Sequence, residues 1–172
     1  MRKLILYIAC SMDGFIADEQ GRVDWLNEID ICESGDWYAK FYDHIDTVLL
    51  GRHTFDQIIE LSPNVWPYEE KTTYVFTHHP LEDQKNLHFL QQDPSTCIQK
   101  WKQQEGKDIW LNGGAHLIKE LWQDIDELHS TTIPATIGKG IRLYPQNQGF
   151  QRFQLMTHKA YGSMILSIYK KR

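Results

Sequence analysis

No stretch of the 172 residues approaches the roughly 20 consecutive apolar residues of a membrane span; the run Leu4 to Cys10 covers seven. Arg2 and Lys3 precede that run as in an export signal, but Asp13 and Gly14 follow it where a small-residue cleavage region belongs, so a first β-strand is expected. Positive charge is in deficit, with 18 Lys and Arg against 23 Asp and Glu and a net charge of −5, which removes the footprint of a general nucleic-acid binder. Neither nucleic acid nor membrane is therefore expected as a partner. The three cysteines, at 10, 32 and 97, form no CxxC, which argues against a disulfide scaffold and a zinc site and fits a cytoplasmic protein. The eight histidines make no HxxxH or HExxH, and no metal is expected. GxGxxG and GxxxxGK[ST] are also absent, which weakens an ordinary Rossmann reading and the simplest NTPase reading.

What remains is an alternation of strands and helices. Leu4 to Cys10 reads as a strand buried on both faces. Ser34 to Ile45 reads as a helix, because Trp37, Tyr38, Phe41, Tyr42 and Ile45 recur at three-to-four spacing, with Ser34 or Asp36 near its start. Strands follow at Thr47 to Leu50, Thr72 to Thr77, Leu87 to Leu90 and Asp108 to Leu111, with helices at Thr54 to Leu61, Pro94 to Gln104 and Ala115 to Trp122. From Asp126 onward the pattern is strands alone: Glu127 to Ile133, then Phe153 to His158 and Met164 to Tyr169 as a hairpin across Ala160 to Ser163. The expectation is one α/β domain over residues 1–172, its mostly parallel central sheet finished by antiparallel C-terminal strands.

Two segments stand out. Val48-Leu49-Leu50-Gly51-Arg52-His53-Thr54-Phe55-Asp56 and Ile109-Trp110-Leu111-Asn112-Gly113-Gly114-Ala115-His116-Leu117 each run an apolar strand into glycine and then into a helix. A helix N-terminus presents unpaired N–H groups and partial positive charge, and glycine lets an anion approach the backbone. One such junction is ordinarily a tight turn. Two in one parallel sheet place anion-binding ends at the same sheet edge, which suits a dinucleotide's pyrophosphate. Thr77-His78-His79-Pro80, ending another strand, is either an exposed loop or, with Arg52, the surroundings of a 2′-phosphate. Most aromatic residues read as core, but Trp25 and Trp66-Pro67-Tyr68 lie in polar surroundings where they could line a pocket mouth.

Ser11-Met12-Asp13-Gly14-Phe15-Ile16-Ala17 resembles the S-x-D-G-x-I-A opening of the dihydrofolate-reductase-like superfamily, and most of all its riboflavin-biosynthesis reductase branch. Gly51-Arg52-His53-Thr54-Phe55 is similar to the superfamily's G-R-x-T-[FYW] segment, and Asn112-Gly113-Gly114-Ala115 to its glycine pair. Asp126-Glu127-Leu128 through Ile133-Pro134 and the Gly138-Lys139-Gly140 loop to Tyr144 resembles the ending of that branch. The resemblance implies a three-layer αβα reductase using NADPH. Gly51, Arg52, His53 and Thr54 would then hold cofactor phosphates, Thr77 and His78 the 2′-phosphate, and Asn112, Gly113, Gly114, Ala115 and His116 the pyrophosphate and nicotinamide half. Ala9, Ile16 and Ala17 would border the nicotinamide, and Asp18 to Trp25 would form a closing loop. Trp25 and Phe41 are the expected substrate contacts, with Asp36, Asp13 and Thr131 as catalytic candidates and Glu33 as a rival of Asp36. No H-x-E…P-C-x-x-C deaminase signature occurs, so a stand-alone reductase is implied. It would transfer hydride to a small heterocyclic or pyrimidine-type substrate, as 5-amino-6-(5-phosphoribosylamino)uracil reductase does, and form a homodimer. The alternatives are a dihydrofolate reductase and a non-catalytic nucleotide-binding protein.

Overall fold

Apolar residues that alternate poorly but run continuously belong in strands covered on both sides, and β1 (Leu4–Ser11) occupies such a place. It lies inside an eight-stranded sheet of the computed structural model, which describes residues 1–28 and 35–172. The chain continues through β2 (Phe15–Ala17), α1 (Gly35–His44), β3 (Ile45–Gly51), α2 (Arg52–Leu61), β4 (Thr72–Phe76) and β5 (Leu87–Leu90). Next come α3 (Pro94–Lys102), β6 (Asp108–Gly113), α4 (Ala115–Leu121), β7 (Glu127–Ile133), β8 (Ile141–Arg142), β9 (Phe153–Tyr161) and β10 (Met164–Lys171). Across the sheet the order is β5-β4-β3-β6-β1-β7-β10-β9, parallel except at β10, which runs antiparallel to both its neighbours.

Helices cover both faces. Phe41 of α1 and Phe55 of α2 pack on Ile5, Val48, Leu50, Val75 and Trp110 on one side. Ile98 of α3 and Leu117, Ile118 and Leu121 of α4 pack on Leu4, Leu6, Leu49, Ile109 and Leu111 on the other. This is the expected αβα sandwich with antiparallel C-terminal strands. The end of the sheet opposite the strand C-termini is fastened by charge. Buried Arg2 pairs with Asp46 and donates to Thr47 Oγ1 at 2.6 Å, and Lys102 Nζ lies 2.6 Å from an Asp126 carboxylate oxygen.

Several boundaries differ from the sequence expectation for identifiable reasons. The helix expected from Ser34 is described from Gly35; Cys32, Glu33 and Ser34 lie outside the described residues. α2 starts at Arg52 rather than Thr54, because Gly51 itself is the extended N-cap and leaves no loop between strand and helix. The terminal strands are longer, and their turn tightens to Gly162-Ser163, made possible by Gly162 at φ +54. α3 begins as its sequence suggests, with Pro94 in the first turn and the Asp93 side chain accepting the Thr96 N–H. β2 and β8 form a two-stranded antiparallel sheet that no periodicity signals, since three and two residues are too short to alternate.

A crevice at the ends of β1 and β6 as the candidate active site

The two central strands separate where chemistry is expected. β1 pairs with β6 only over Leu4↔Ile109, Ile5↔Trp110 and Leu6↔Leu111, whereas it stays paired with β7 as far as Ser11↔Ile133. From Tyr7 onward β1 has no ladder partner on the β6 side, and the first carbonyl released, that of Tyr7, accepts the Trp110 indole N–H at 3.1 Å. The chain leaves β1 toward α1 on one face and leaves β6 toward α4 on the other. Adjacent strands whose crossovers depart on opposite faces define a topological switch point, the place where open α/β sheets bind ligands.

One lip of this crevice carries Ala9 on β1 and Ile16 and Ala17 on β2. The other carries Asn112, Gly113 and Gly114 at the end of β6. The two glycine junctions expected to meet at one sheet edge do touch. A Cβ on Gly114 would lie 3.0 Å from Gly51 Cα and 3.1 Å from Gly51 N, and one on Gly113 would meet Thr54 Oγ1 at 3.4 Å. Gly114 also has φ +99. Part of the need for glycine is therefore mutual packing of the junctions, in addition to any approach by a ligand.

Arg52 begins α2 and reaches sideways. Its Nε donates to Asp56 at 2.8 and 3.0 Å and its Nη1 to the His79 carbonyl at 2.9 Å, leaving Nη2 without a partner among the described residues. That carries the Arg52 side chain, 34% exposed, to the loop after β4, where Thr77 Oγ1 accepts the His79 N–H at 3.1 Å and His78 is exposed. Arg52, Thr77 and His78 are thus brought together. His53 and His116 face solvent instead; His116 is 82% exposed and lies 3.4 Å from Glu120. Asn112 donates its side-chain amide to the Tyr68 hydroxyl at 2.6 Å, which ties the β6 end to the Trp66–Tyr68 aromatic pair.

The carboxylate candidates separate. Asp13 accepts the Ser11 hydroxyl at 2.6 Å, the Gly138 N–H at 2.8 Å and the Ile137 N–H at 3.2 Å, and these donors hold its carboxyl below the usual range. Its geometry is that of a pin joining the β1–β2 turn to the 137–140 loop, so the catalytic reading gives way to an anchoring one. Asp36 is exposed in the first turn of α1, and no hydrogen bond joins it to Thr131. Thr131, the other catalytic candidate, stands on β7 in register with Ala9, and burial raises the pKa of the neighbouring Tyr7 phenol above its ordinary value. Phe41 is buried with its ring edge on Tyr7, 4.6 Å between centroids, so it shapes the crevice wall from behind.

The Asp18 carboxylate closes its turn by accepting from the Gln20 and Arg22 N–H groups, and Gln57 of α2 donates to the Gly21 carbonyl at 2.5 Å. Trp25 follows that turn, half-buried. Sequence reasoning missed Tyr7 and His129. The signal for His129 was present: Glu127, His129 and Thr131 put polar groups at every second position of a central strand.

The RibD C-terminal domain model matches residues 56–167. The chain belongs to the RibD C-terminal domain family. It is 38% identical over 167 residues to the uncharacterized protein YwjB of Bacillus subtilis, with 95% of each covered, and 28% identical to YyaP of the same organism, with 97% of this chain and 93% of YyaP covered. Among solved structures it is similar to a putative riboflavin biosynthesis protein from Shewanella sp. PV-4, at TM-score 0.82 and 22% identity with 99% of both chains covered. A bifunctional deaminase and 5-amino-6-(5-phosphoribosylamino)uracil reductase from Thermotoga maritima gives TM-score 0.72 at 17% identity, with 99% of this chain and 57% of that one covered. Enterococcus faecalis dihydrofolate reductase complexed with NADP(H) gives 0.69 at 18%, with 99% and 96% covered. The family and fold are those of reductases. Among the described residues of this RibD C-terminal domain, no helix is long and apolar enough to cross a membrane.

Proposed function

We propose that this chain is an NADPH-dependent reductase acting on a small heterocyclic, pyrimidine-type substrate in the crevice between β1 and β6. The observation that carries this reading is the loss of pairing between those strands beside two touching glycine junctions. A bound reduced nicotinamide supplies hydride to an electron-poor C=N or C=O carbon. The residues present fit that cofactor. The touching junctions of Gly51 and Thr54 with Gly113 and Gly114 set two strand ends side by side as a glycine cradle with no side chain between backbone and ligand, and the open Nη2 of Arg52 beside Thr77 and His78 suits a 2′-phosphate. Asn112, Ala115 and His116 would flank the pyrophosphate half, with Ala9, Ile16 and Ala17 against the ring and Trp25 over the substrate.

Tyr7 is our choice for holding the proton that the reduced product takes up, because it stands on β1 just past the last residue paired with β6 and burial keeps its phenol protonated. Tyr7→Phe is expected to lower single-turnover reduction on the order of a hundredfold, as loss of a general acid does, while Asp36→Asn leaves it within about twofold. A large effect of Asp36→Asn with none of Tyr7→Phe would restore the carboxylate assignment.

We read the protein as a homodimer. β9 is an edge strand exposed along Gln154 to Ala160, and Leu155, Met156 and Ile165 place apolar side chains on the terminal hairpin, an edge that natural sheets ordinarily cover. Sedimentation equilibrium is expected to give twice the 20.3 kDa chain mass, reduced to one chain by Leu155→Glu. A monomer in the unaltered protein would remove this reading.

A further inference from the structure

Near the crevice floor two buried polar atoms have no hydrogen-bond partner among the described residues. His129 is 6% exposed, its Nε2 lies 3.0 Å from Glu127 Oε2, and its Nδ1 has no partner among the described residues. Glu127 in turn holds Lys3 Nζ at 2.7 Å, and these two partners pull its carboxyl down to about 2, so it stays ionised. With a carboxylate fixed against Nε2, a neutral imidazole carries its proton there and presents a lone pair at Nδ1. The second atom is Trp37 Nε1, also buried without a partner among the described residues, on an indole whose ring centre is 6.3 Å from that of His129. Tyr7 and Phe41 flank the imidazole, their ring centres 6.1 and 5.7 Å from its own.

Each orphan costs free energy, and the two are of opposite sense, one donor and one acceptor. Both belong to the crevice face: His129 stands in register with Tyr7, one alternation below Thr131, and Trp37 is on the first turn of α1 above it. We infer that His129 and Trp37 together read the polar edge of the substrate ring, with Trp37 Nε1–H donating to a ring acceptor and His129 Nδ1 accepting from the N–H beside it. The class of ligand that satisfies both at once is a planar ring with N–H adjacent to C=O or to a ring nitrogen. Entry of such a ring requires the half-buried Trp37 indole to turn aside from the buried His129.

This inference rests on the crevice being the substrate site. The test uses NADPH-loaded protein and two probes, 2-pyridone, which has one N–H beside one C=O, and N-methyl-2-pyridone, which lacks the N–H. Titration by NMR is expected to show 2-pyridone binding on the order of tenfold tighter than its methylated form, and the preference is expected to vanish in Trp37→Phe and His129→Phe. In the unaltered protein the His129 Nδ1 nitrogen resonance should move as 2-pyridone is added, a readout that needs no turnover and survives if His129→Phe does not fold. Equal affinity for the two probes, absence of 2-pyridone binding, or a stationary Nδ1 resonance would overturn the inference while leaving the cofactor reading intact. Failure of NADPH itself to bind would remove the reductase reading instead.

Discussion

Gly114→Ala is expected to destabilise the protein by about 3 kcal/mol or more, combining backbone strain with a steric collision. The added Cβ would sit 3.0 Å from Gly51 Cα and 3.1 Å from Gly51 N, and both are backbone atoms of a strand end that cannot swing away. The residue must also hold φ +99, which an L side chain disfavours. Gly138→Ala is the matched control, since it has φ +78 but open space around its Cβ, and it should cost only about 1 kcal/mol. For a domain of this size the difference is roughly 6 °C in melting temperature. Similar melting of the two variants would show that the junctions do not pack against each other as described. Because the same contact aligns both ends of the cradle, a folded Gly114→Ala protein is further expected to bind NADPH poorly.

The second large effect concerns Arg52. Its replacement by alanine is expected to weaken NADPH binding at least tenfold, about 1.4 kcal/mol, while NADH binding changes by no more than about twofold. The asymmetry follows from position: the guanidinium reaches away from the glycine cradle to Thr77 and His79, so its open Nη2 addresses a group that only NADPH carries. Stability should hardly move, because the ion pair with Asp56 is an exposed i,i+4 pair. Added salt should narrow the preference in the unaltered protein by screening the same charge. Equal loss for both dinucleotides would place Arg52 on a phosphate the two cofactors share. No loss for either would remove it from the site.

The parts of this molecule visible in its sequence are those governed by local rules. Continuous apolar runs marked the buried parallel strands, three-to-four spacing marked the face α1 buries, and Asp93 with Pro94 marked the start of α3. The glycine-ended strands marked the right edge of the sheet. What stayed hidden depends on contacts between distant segments. That β1 parts from β6 after Leu6 is a property of a pairing between residues about a hundred positions apart, and the Gly51–Gly114 contact is of the same kind. The motif residue Asp13 looked chemical because its neighbours were known but its partners, the Ile137 and Gly138 amides, were not. Asp36 stood near the expected helix position without a matching pattern around it, and the structure turns it to solvent on the first turn of α1.

The central claim is that the crevice between β1 and β6 holds a dinucleotide, and a fluorescence titration of the purified protein with NADPH and then with NADH, at low salt, tests it most directly. Trp110, whose indole nitrogen sits on the Tyr7 carbonyl at the root of the crevice, is one reporter for energy transfer to the reduced nicotinamide. The account predicts saturable binding in the micromolar range, tighter for NADPH than for NADH. No binding of either dinucleotide at about millimolar concentration, a free energy weaker than roughly −4 kcal/mol, would contradict it and reduce the two glycine junctions to turns.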